Sequence, residues 1–196
     1  FRKNCRDFFG LEAINAREFS ARVTDMMYRY PTGILQGQLN LLDSHDVNRF
    51  LSYCRGDIRR FRLAEVFLFT SPGAPSVFYG DELGMDGNSE FTLRGPMPWN
   101  TPRHDERAFF KSLTALRRDN EALATGSFRA VYADEKGLMV YRRALPGQRI
   151  TVALNGQNDT VSVAAHVPSD TPVLSDSFAN GSLGAFGYAV FVEKAL

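Results

Sequence analysis

This 196-residue sequence has few cysteines and histidines, no long apolar run and no excess of one charge. These shortages limit the classes of protein to which the chain can belong. Cys5 and Cys54 are too few for a disulfide framework and are not spaced as a metal site, so we expect both to be buried as small apolar side chains. Apolar stretches such as residues 66–69 fall far short of the roughly 20 residues that cross a bilayer, so we predict no membrane span. With 23 basic and 22 acidic residues, the chain shows no charge excess that would favour nucleic acid as a partner.

Apolar residues make up 44% of the chain, which is enough for a buried core in one or two domains. In the first 122 residues, helical and strand patterns alternate, which indicates an α/β fold. Asn15 and Asp57 are expected to cap two of the helices. The predicted helices span about residues 1–9, 16–30, 58–68 and 104–119, and the predicted buried strands span residues 38–42 and 76–79. Residues 80–103 are predicted to form one long loop, a kind of segment that often binds a ligand.

The pattern changes near residue 123, where helical periodicity gives way to short alternating runs separated by Gly, Pro, Asn and Asp. The predicted strands are residues 128–132, 138–142, 150–154, 161–165, 173–174 and 188–192. Runs of this length and spacing are typical of an antiparallel β-sandwich. We therefore predict two domains, residues 1–122 and residues 123–196.

Polar side chains follow the first predicted strand, in the sequence Asp43-Ser44-His45-Asp46 with Arg49 close behind. In parallel α/β folds, ligand-binding groups gather at the carboxyl ends of strands. A carboxylate, an imidazole and a guanidinium at such a place suit a polyhydroxylated ligand, since together they accept and donate hydrogen bonds to hydroxyls. The alternative interpretation is an aspartate that caps the next helix beside a hydrogen-bonded histidine.

Two further motifs follow the second predicted strand. Adjacent Asp81 and Glu82 point to different sides of an extended backbone, which favours turn-stabilising carboxylates held by a nearby arginine over an acid/base pair. Trp99, the only tryptophan, lies in the predicted loop and could stack on a sugar ring or pack inward and pin the loop. The prolines on both sides of Met97 favour the packed arrangement.

These three motifs, in this order, resemble the α-amylase family of glycoside hydrolases. They are the Ser-His-Asp at 44–46, the segment GAPSVFYGDELG at 73–84, and the segment RGPMPW at 94–99. The sequence around Ser44 and the Gly-Met-Asp-Gly at 84–87 look most like those of the neopullulanase and cyclomaltodextrinase branch. The resemblance covers nearly the whole chain and implies the last βα units of a (β/α)8 barrel, followed by a C-terminal sandwich. Because such a barrel takes about 250 residues, the chain resembles the tail of an enzyme.

The resemblance also implies roles for particular residues. Asp46 resembles the carboxylate that stabilises the oxocarbenium-like transition state of a retaining mechanism, and His45 resembles a hydrogen-bonding partner of the same glucose. Arg49, Asp86 and Arg94 are further candidates for substrate contact. The nucleophile and the general acid of the family would lie upstream of Phe1. No cofactor and no metal site are expected.

The resemblance leaves three functional hypotheses open. The first is hydrolysis of α-glucosidic bonds in cyclodextrins, pullulan or maltooligosaccharides; the second is glucan transfer or isomerisation on the same fold; the third is carbohydrate binding without catalysis. The chain alone is expected to be inactive and to associate with the missing N-terminal part of the barrel, or with itself as a homo-oligomer. The chain begins with Phe1 and not with Met, so cytoplasmic, periplasmic and secreted bacterial locations all stay open.

Overall fold

The computed structural model describes residues 1–100 and 104–194. Its helical elements are α1 (Arg2–Cys5), a π-helical turn (Arg6–Gly10), α2 (Ala16–Tyr28), α3 (Thr32–Gly37), α4 (Phe50–Tyr53), α5 (Ile58–Thr70), a 3-10 turn (Asp81–Leu83), α6 (Glu90–Leu93), α7 (His104–Arg118) and α8 (Glu121–Thr125). Its strands are β1 (Leu39–Leu41), β2 (Ala74–Ser76), β3 (Ser127–Ala133), β4 (Leu138–Leu145), β5 (Gln148–Asn155), β6 (Val161–Ser162), β7 (Leu174–Ala179) and β8 (Ser182–Lys194).

Both predicted helix caps are confirmed. The side chain of Asn15 accepts a hydrogen bond from the Glu18 N–H at 2.9 Å at the start of α2. The side chain of Asp57 accepts one from the Arg59 N–H at 3.0 Å at the start of α5. Each cap satisfies an amide that has no partner within the first helical turn.

Strands β1 and β2 pair in parallel, with Leu39 opposite Ala74 and Leu41 opposite Ser76. The first strand lies where the sequence predicts it, but the second begins at Ala74 and not at residue 76. The reason is that the Ala74 N–H donates to the Gln38 carbonyl at 2.7 Å, so the ladder starts within the Gly-Pro-rich turn. Gly73 makes this approach feasible, because it has a positive φ of 95° and a Cβ there would lie 2.7 Å from the Gln38 oxygen.

The prediction of a single loop for residues 80–103 is wrong in its described part, because the 3-10 turn Asp81–Leu83 and helix α6 lie within it. Helix α6 begins with a reciprocal cap: Ser89 accepts from the Thr92 N–H, and the Thr92 hydroxyl accepts from the Ser89 N–H at 2.9 Å. Residues 101–103 lie outside the described residues. Helix α3 is also absent from the predicted helices, and Pro31 lies directly before it.

The strands from β3 to β8 form one hydrogen-bonded antiparallel sheet with the order β3-β4-β5-β8-β6, and β7 also pairs with β8. Strand β8 is the longest and pairs with three others along its length. The prediction that the second half of the chain, from about residue 126 onward, consists of β-strands is confirmed. The predicted sandwich of two sheets is not confirmed, because the described strands share a single ladder system.

One large apolar core runs through both halves of the chain, and a second, smaller cluster of buried apolar residues lies within the sheet half. The Phe67 ring of α5 packs on Phe19 of α2 with centroids 5.1 Å apart, and on Tyr141 of β4 at 5.6 Å. Cys5 and Cys54 are free and fully buried in this core, as predicted. The packing is therefore continuous across residue 123, and the division into residues 1–122 and 123–196 stays a prediction from sequence pattern.

Two arginines, the buried Arg143 and the half-buried Arg117, bind the carboxyl end of α5. Arg143 of β4 donates to the Thr70 carbonyl at 2.7 Å and to the Gly126 carbonyl at 2.9 Å. Arg117 of α7 donates to the Phe69 carbonyl at 2.7 Å and to the Gly73 carbonyl. Burial lowers the pKa of Arg143 to about 10. These bonds satisfy carbonyls that the helix end leaves without internal partners.

Among the described residues, none of the helices is both long and apolar enough to span a membrane.

Candidate active site

The candidate site lies where β1 and β2 end. Because the two strands are parallel, their carboxyl ends meet at one edge, and the chain leaves β1 toward His45 and Asp46 and leaves β2 toward Asp81. A short bridge between Ser44 and Val47 folds the first of these segments into a tight turn. The Asp46 N–H donates to the Ser44 hydroxyl at 3.3 Å within that turn.

His45, Asp46 and Arg94 form an exposed cluster at this edge. The His45 Nε2 lies 3.2 Å from the Asp46 Oδ1, and the Arg94 Nη2 lies 3.7 Å from the same oxygen. The Arg94 Nε donates to the His45 carbonyl at 3.2 Å. The side chains are 64%, 68% and 55% exposed, respectively, so they are open to a ligand from solvent. Three of the predicted site residues are thus brought together.

Arg49 does not join this exposed cluster, and its role as a substrate contact stays a prediction. Its side chain is 0% exposed. The guanidinium donates to the Tyr79 carbonyl at 2.8 Å and to the Leu93 carbonyl at 3.3 Å, and its Nη1 lies 3.4 Å from the Asp81 Oδ1. It also lies over the Phe78 ring, 4.6 Å from the centroid. Arg49 therefore ties the segment after β1 to the segment after β2.

Asp86 is exposed but takes part in a different set of contacts. Its carboxylate accepts from the Gly87 N–H at 2.7 Å and contacts the Ser52 hydroxyl of α4. None of the contacts described for Asp86 joins it to His45, Asp46 or Arg94. Its predicted role in substrate binding stays a prediction, whereas its observed role is to fasten the loop to α4.

The predicted packing of Trp99 is wrong, because this side chain is 79% exposed. Phe91 on α6 is exposed as well. The prolines at 96 and 98 restrict the backbone of this segment but do not supply an apolar surface for the indole ring. Both aromatic rings lie on the segment that also carries Arg94.

Three buried carboxyl groups near this edge were given no active role by the sequence. Asp43 accepts from the Phe50 N–H at 2.7 Å, and Asp81 accepts from the Phe78 N–H at 3.0 Å, while Glu65 projects from α5. Burial raises the pKa of all three, and for Asp81 and Glu65 the pKa is raised well above the ordinary range. Glu65 could have been noticed, because it lies four residues after Phe61 and three before Leu68, on the inward face of α5.

The prediction that a nearby arginine holds Asp81 is confirmed by its pairing with Arg49. Glu82 stabilises the turn by accepting from the Gly80 N–H at 2.8 Å.

In the described part of the chain, no set of three or more His, Cys, Asp or Glu side chains is arranged to hold a metal ion.

The comparison with known proteins agrees with the motifs. Residues 6–130 match the family model described as the α-amylase catalytic domain. Neopullulanase 2 of Thermoactinomyces vulgaris is 37% identical over 171 residues, which are 86% of this chain and 29% of that protein. A cyclomaltodextrinase of Thermoanaerobacter pseudethanolicus is 36% identical over 81% of this chain and 28% of that protein. The chain thus spans less than a third of the length of these curated relatives.

Solved structures extend the likeness to the fold. The cyclic α-maltosyl-(1→6)-maltose hydrolase of Arthrobacter globiformis matches 99% of this chain with a TM-score of 0.85 and 29% identity, and the match covers 43% of that chain. A debranching enzyme of Nostoc punctiforme, with 24% identity and a TM-score of 0.84, supports the fold alone. The helices, the parallel strand pair and the following sheet are accordingly a portion of the fold of these (β/α)8-barrel enzymes. The chain belongs to the α-amylase family.

Proposed function

We propose that this chain is the C-terminal portion of a retaining glycoside hydrolase that cleaves α-glucosidic bonds in cyclodextrins, pullulan or maltooligosaccharides. The observation that carries the proposal is the exposed cluster of His45, Asp46 and Arg94 at the carboxyl ends of two parallel strands. The names of the relatives, neopullulanase and cyclomaltodextrinase, support α-glucans as the substrate class.

Asp46 is the group assigned to transition-state stabilisation. A retaining mechanism passes through an oxocarbenium-like state, and a carboxylate that binds the sugar hydroxyls at that stage lowers the barrier. Arg94 and His45 contact the same Asp46 oxygen, so they orient the carboxylate while its exposed face remains available to the sugar. His45 is also assigned a hydrogen bond to a hydroxyl of that sugar.

The nucleophile and the general acid are assigned to the part of the enzyme that precedes this chain. Retaining hydrolysis needs both, since one carboxylate attacks the anomeric carbon and the other carboxylic acid protonates the leaving oxygen. The chain by itself is therefore expected to have no hydrolytic activity.

The test is Asp46→Asn in the whole enzyme that contains this chain. Because the side chain is largely exposed, the substitution should leave the unfolding temperature unchanged, while turnover of maltotriose falls on the order of 10³-fold. The matched control is Asp119→Asn, which removes an exposed carboxylate paired with Arg118 and should leave turnover unchanged. Near-normal turnover by Asp46→Asn would refute the assignment.

The products of the unsubstituted enzyme separate hydrolysis from the two other hypotheses. Hydrolysis of maltotriose gives only shorter sugars, whereas transfer also gives sugars longer than the starting material. A protein that binds α-glucan and releases no product at all would support the non-catalytic hypothesis.

A further inference from the structure

The backbone on either side of Arg94 is held by two side chains that come from the ends of different strands. The Arg49 guanidinium, from the segment after β1, donates to the Leu93 carbonyl at 3.3 Å. The Tyr79 hydroxyl, from the segment after β2, donates to the Gly95 carbonyl at 2.8 Å. Arg94 therefore lies between two anchored carbonyls.

These bonds matter because α6, which ends directly before Arg94, has only four residues. A helix this short is not stable by itself, and its last carbonyls have no partner within it. At the other end of the segment, the Arg49 N–H donates to the Gly87 carbonyl at 2.9 Å. Bonds from outside α6 therefore decide where the backbone of Arg94 lies.

Tyr79 is itself fixed to the buried part of this edge. Its carbonyl accepts from the Arg49 guanidinium at 2.8 Å, and its ring centroid lies 4.9 Å from the Arg49 Cζ. The ring also packs edge-on against Phe78, with centroids 4.7 Å apart. Since Arg49 is fully buried, Tyr79 connects the loop at the surface with an immobile support.

The anchored segment controls a contact of the candidate catalytic carboxylate. The Arg94 Nη2 lies 3.7 Å from the Asp46 Oδ1, and the Arg94 Nε donates to the His45 carbonyl at 3.2 Å. The Arg94 side chain is largely exposed, and a long side chain in solvent has many rotamers. A fixed backbone limits the positions that its guanidinium can reach, so the bond from Tyr79 to Gly95 acts on Asp46 through Arg94.

We propose that Tyr79 is a positioning residue: its hydroxyl fixes the backbone beside Arg94 and thereby holds the Arg94 guanidinium against Asp46. The effect on catalysis rests on the proposed function, whereas the anchoring of the segment around Arg94 does not. Tyr79 acts through one hydrogen bond to a backbone carbonyl, so the removal of a single oxygen atom tests its role.

The first test is Tyr79→Phe in the whole enzyme, which keeps the ring beside Arg49 and removes only the hydroxyl. Turnover of maltotriose should fall about tenfold in kcat with KM within about twofold, because a misplaced Asp46 weakens transition-state stabilisation more than substrate binding. The unfolding temperature should change by no more than about 2 °C. The matched control is Tyr132→Phe in β3, at a tyrosine of similar exposure, which should leave kcat unchanged.

The second test is a double-mutant cycle between Tyr79 and Arg94. Arg94→Gln should lower kcat, and Tyr79→Phe added to it should lower kcat by no more than about a further twofold, since Tyr79 acts through Arg94. A purely structural role of Tyr79 would instead give losses that multiply. Unchanged kcat in Tyr79→Phe, a large fall in its unfolding temperature, or the full further loss in the Arg94→Gln background would each overturn the proposal.

The third test measures amide hydrogen exchange of residues 87–95 in the whole enzyme. Exchange should be faster in Tyr79→Phe than in the unsubstituted enzyme, because the segment loses an anchor, and should be unchanged in Tyr132→Phe. Equal exchange in all three proteins would contradict the anchoring. If Asp46→Asn leaves turnover intact but exchange depends on Tyr79, the proposed function fails and the anchoring stands.

Discussion

At the scale of single residues, two arginines near the strand ends act in different ways. Arg94 is half exposed and contacts the candidate catalytic carboxylate of Asp46 from the solvent side. Arg49 is fully buried and binds two backbone carbonyls and the carboxyl group of Asp81. Of these two arginines only Arg94 is open to solvent, so substitutions of the two should have different consequences.

Arg49→Met should lower the free energy of unfolding by about 3–5 kcal/mol, because it leaves buried acceptors without a donor. Urea unfolding of the whole enzyme measures this change. Arg118→Met, at a fully exposed arginine, is the matched control and should leave the urea midpoint unchanged. A substrate contact would behave otherwise: Arg49→Met would then raise KM and leave the urea midpoint where it was.

Much of the exposed cluster of His45, Asp46 and Arg94 can be predicted from the sequence, whereas the burial of Arg49 cannot. His45 and Asp46 follow a strand-like run, and a strand end is a place where polar groups gather. The buried state of Arg49 depends on the path of the segment after β2, which brings the Tyr79 and Leu93 carbonyls to the guanidinium. The exposure of Trp99 likewise depends on which surfaces lie near its loop.

At the scale of elements, α5 connects the two halves of the molecule. It begins at the Asp57 cap, and its residues from Leu63 to Thr70 are all buried. This second half of the helix is mostly apolar, with Glu65 as its one charged residue, and it lies inside the protein. The sequence predicted one inward face for this helix, but the helix is covered on its other side too, because β5 and β8 pack against it.

Asp57→Ala should lower the free energy of unfolding by about 1 kcal/mol, because it removes the cap of α5. Asp57→Asn keeps the cap and removes only the ion pair with Arg59, so its effect should be smaller. Chemical unfolding of both variants at pH 7 tests this order. Equal losses would show that the ion pair, and not the cap, matters.

The stabilisation that Asp57 provides through its ion pair with Arg59 should depend on pH. The hydrogen bond from the Arg59 side chain holds the pKa of Asp57 below its usual value. For a carboxyl with a lowered pKa, the stabilisation is present above the ordinary aspartate pKa and is lost as pH falls through the folded-state pKa. The stability difference between the unsubstituted enzyme and Asp57→Asn should therefore disappear in acid.

Helix α3, which the sequence does not predict, and strand β2, which begins earlier than predicted, both start beside Gly or Pro. These residues mark the starts of elements as well as their ends. Pro31 directly precedes α3, and Gly73 with its positive φ leads into β2. The hydrogen bond from Ala74 to Gln38 decides where β2 begins, and that bond joins residues far apart in the sequence.

At the scale of the whole molecule, an exposed apolar segment extends from the end of α2 to β1. Tyr28, Ile34 and Leu39 are all exposed there. Among the described strands, β1 pairs only with β2, so its other edge presents unpaired backbone groups. Apolar surface beside an open strand edge favours association with another chain.

The 196-residue chain expressed by itself should therefore self-associate, as light scattering would measure. Leu39→Lys places a charge in β1 beside its open edge and should lower the apparent mass. Val173→Lys, at an exposed apolar residue next to the sheet strand β7, is the matched control and should not. A monodisperse monomer of the unsubstituted chain would contradict the expectation.

The family was predictable from three short motifs, because each consists of residues with a defined place at a strand end or in a loop. The continuity of the core across residue 123 could not be predicted from the sequence. Helical periodicity and strand alternation describe one element at a time, and neither tells which elements share a core. The contact of Phe67 with Tyr141 joins residues from the two patterns.

The arginines at the end of α5 have a consequence for how such an enzyme can be shortened or recombined. Arg143 comes from the sheet, yet it binds the Thr70 carbonyl, only a few residues before β2. A version of the enzyme that stopped at residue 122 would lose this donor and leave a buried carbonyl unsatisfied beside the segment that leads to Asp81. The sheet half thus stabilises the turn between α5 and β2, at the opposite end of the strand pair from the candidate site, and a transplanted replacement would need to bring a guanidinium to the same carbonyl.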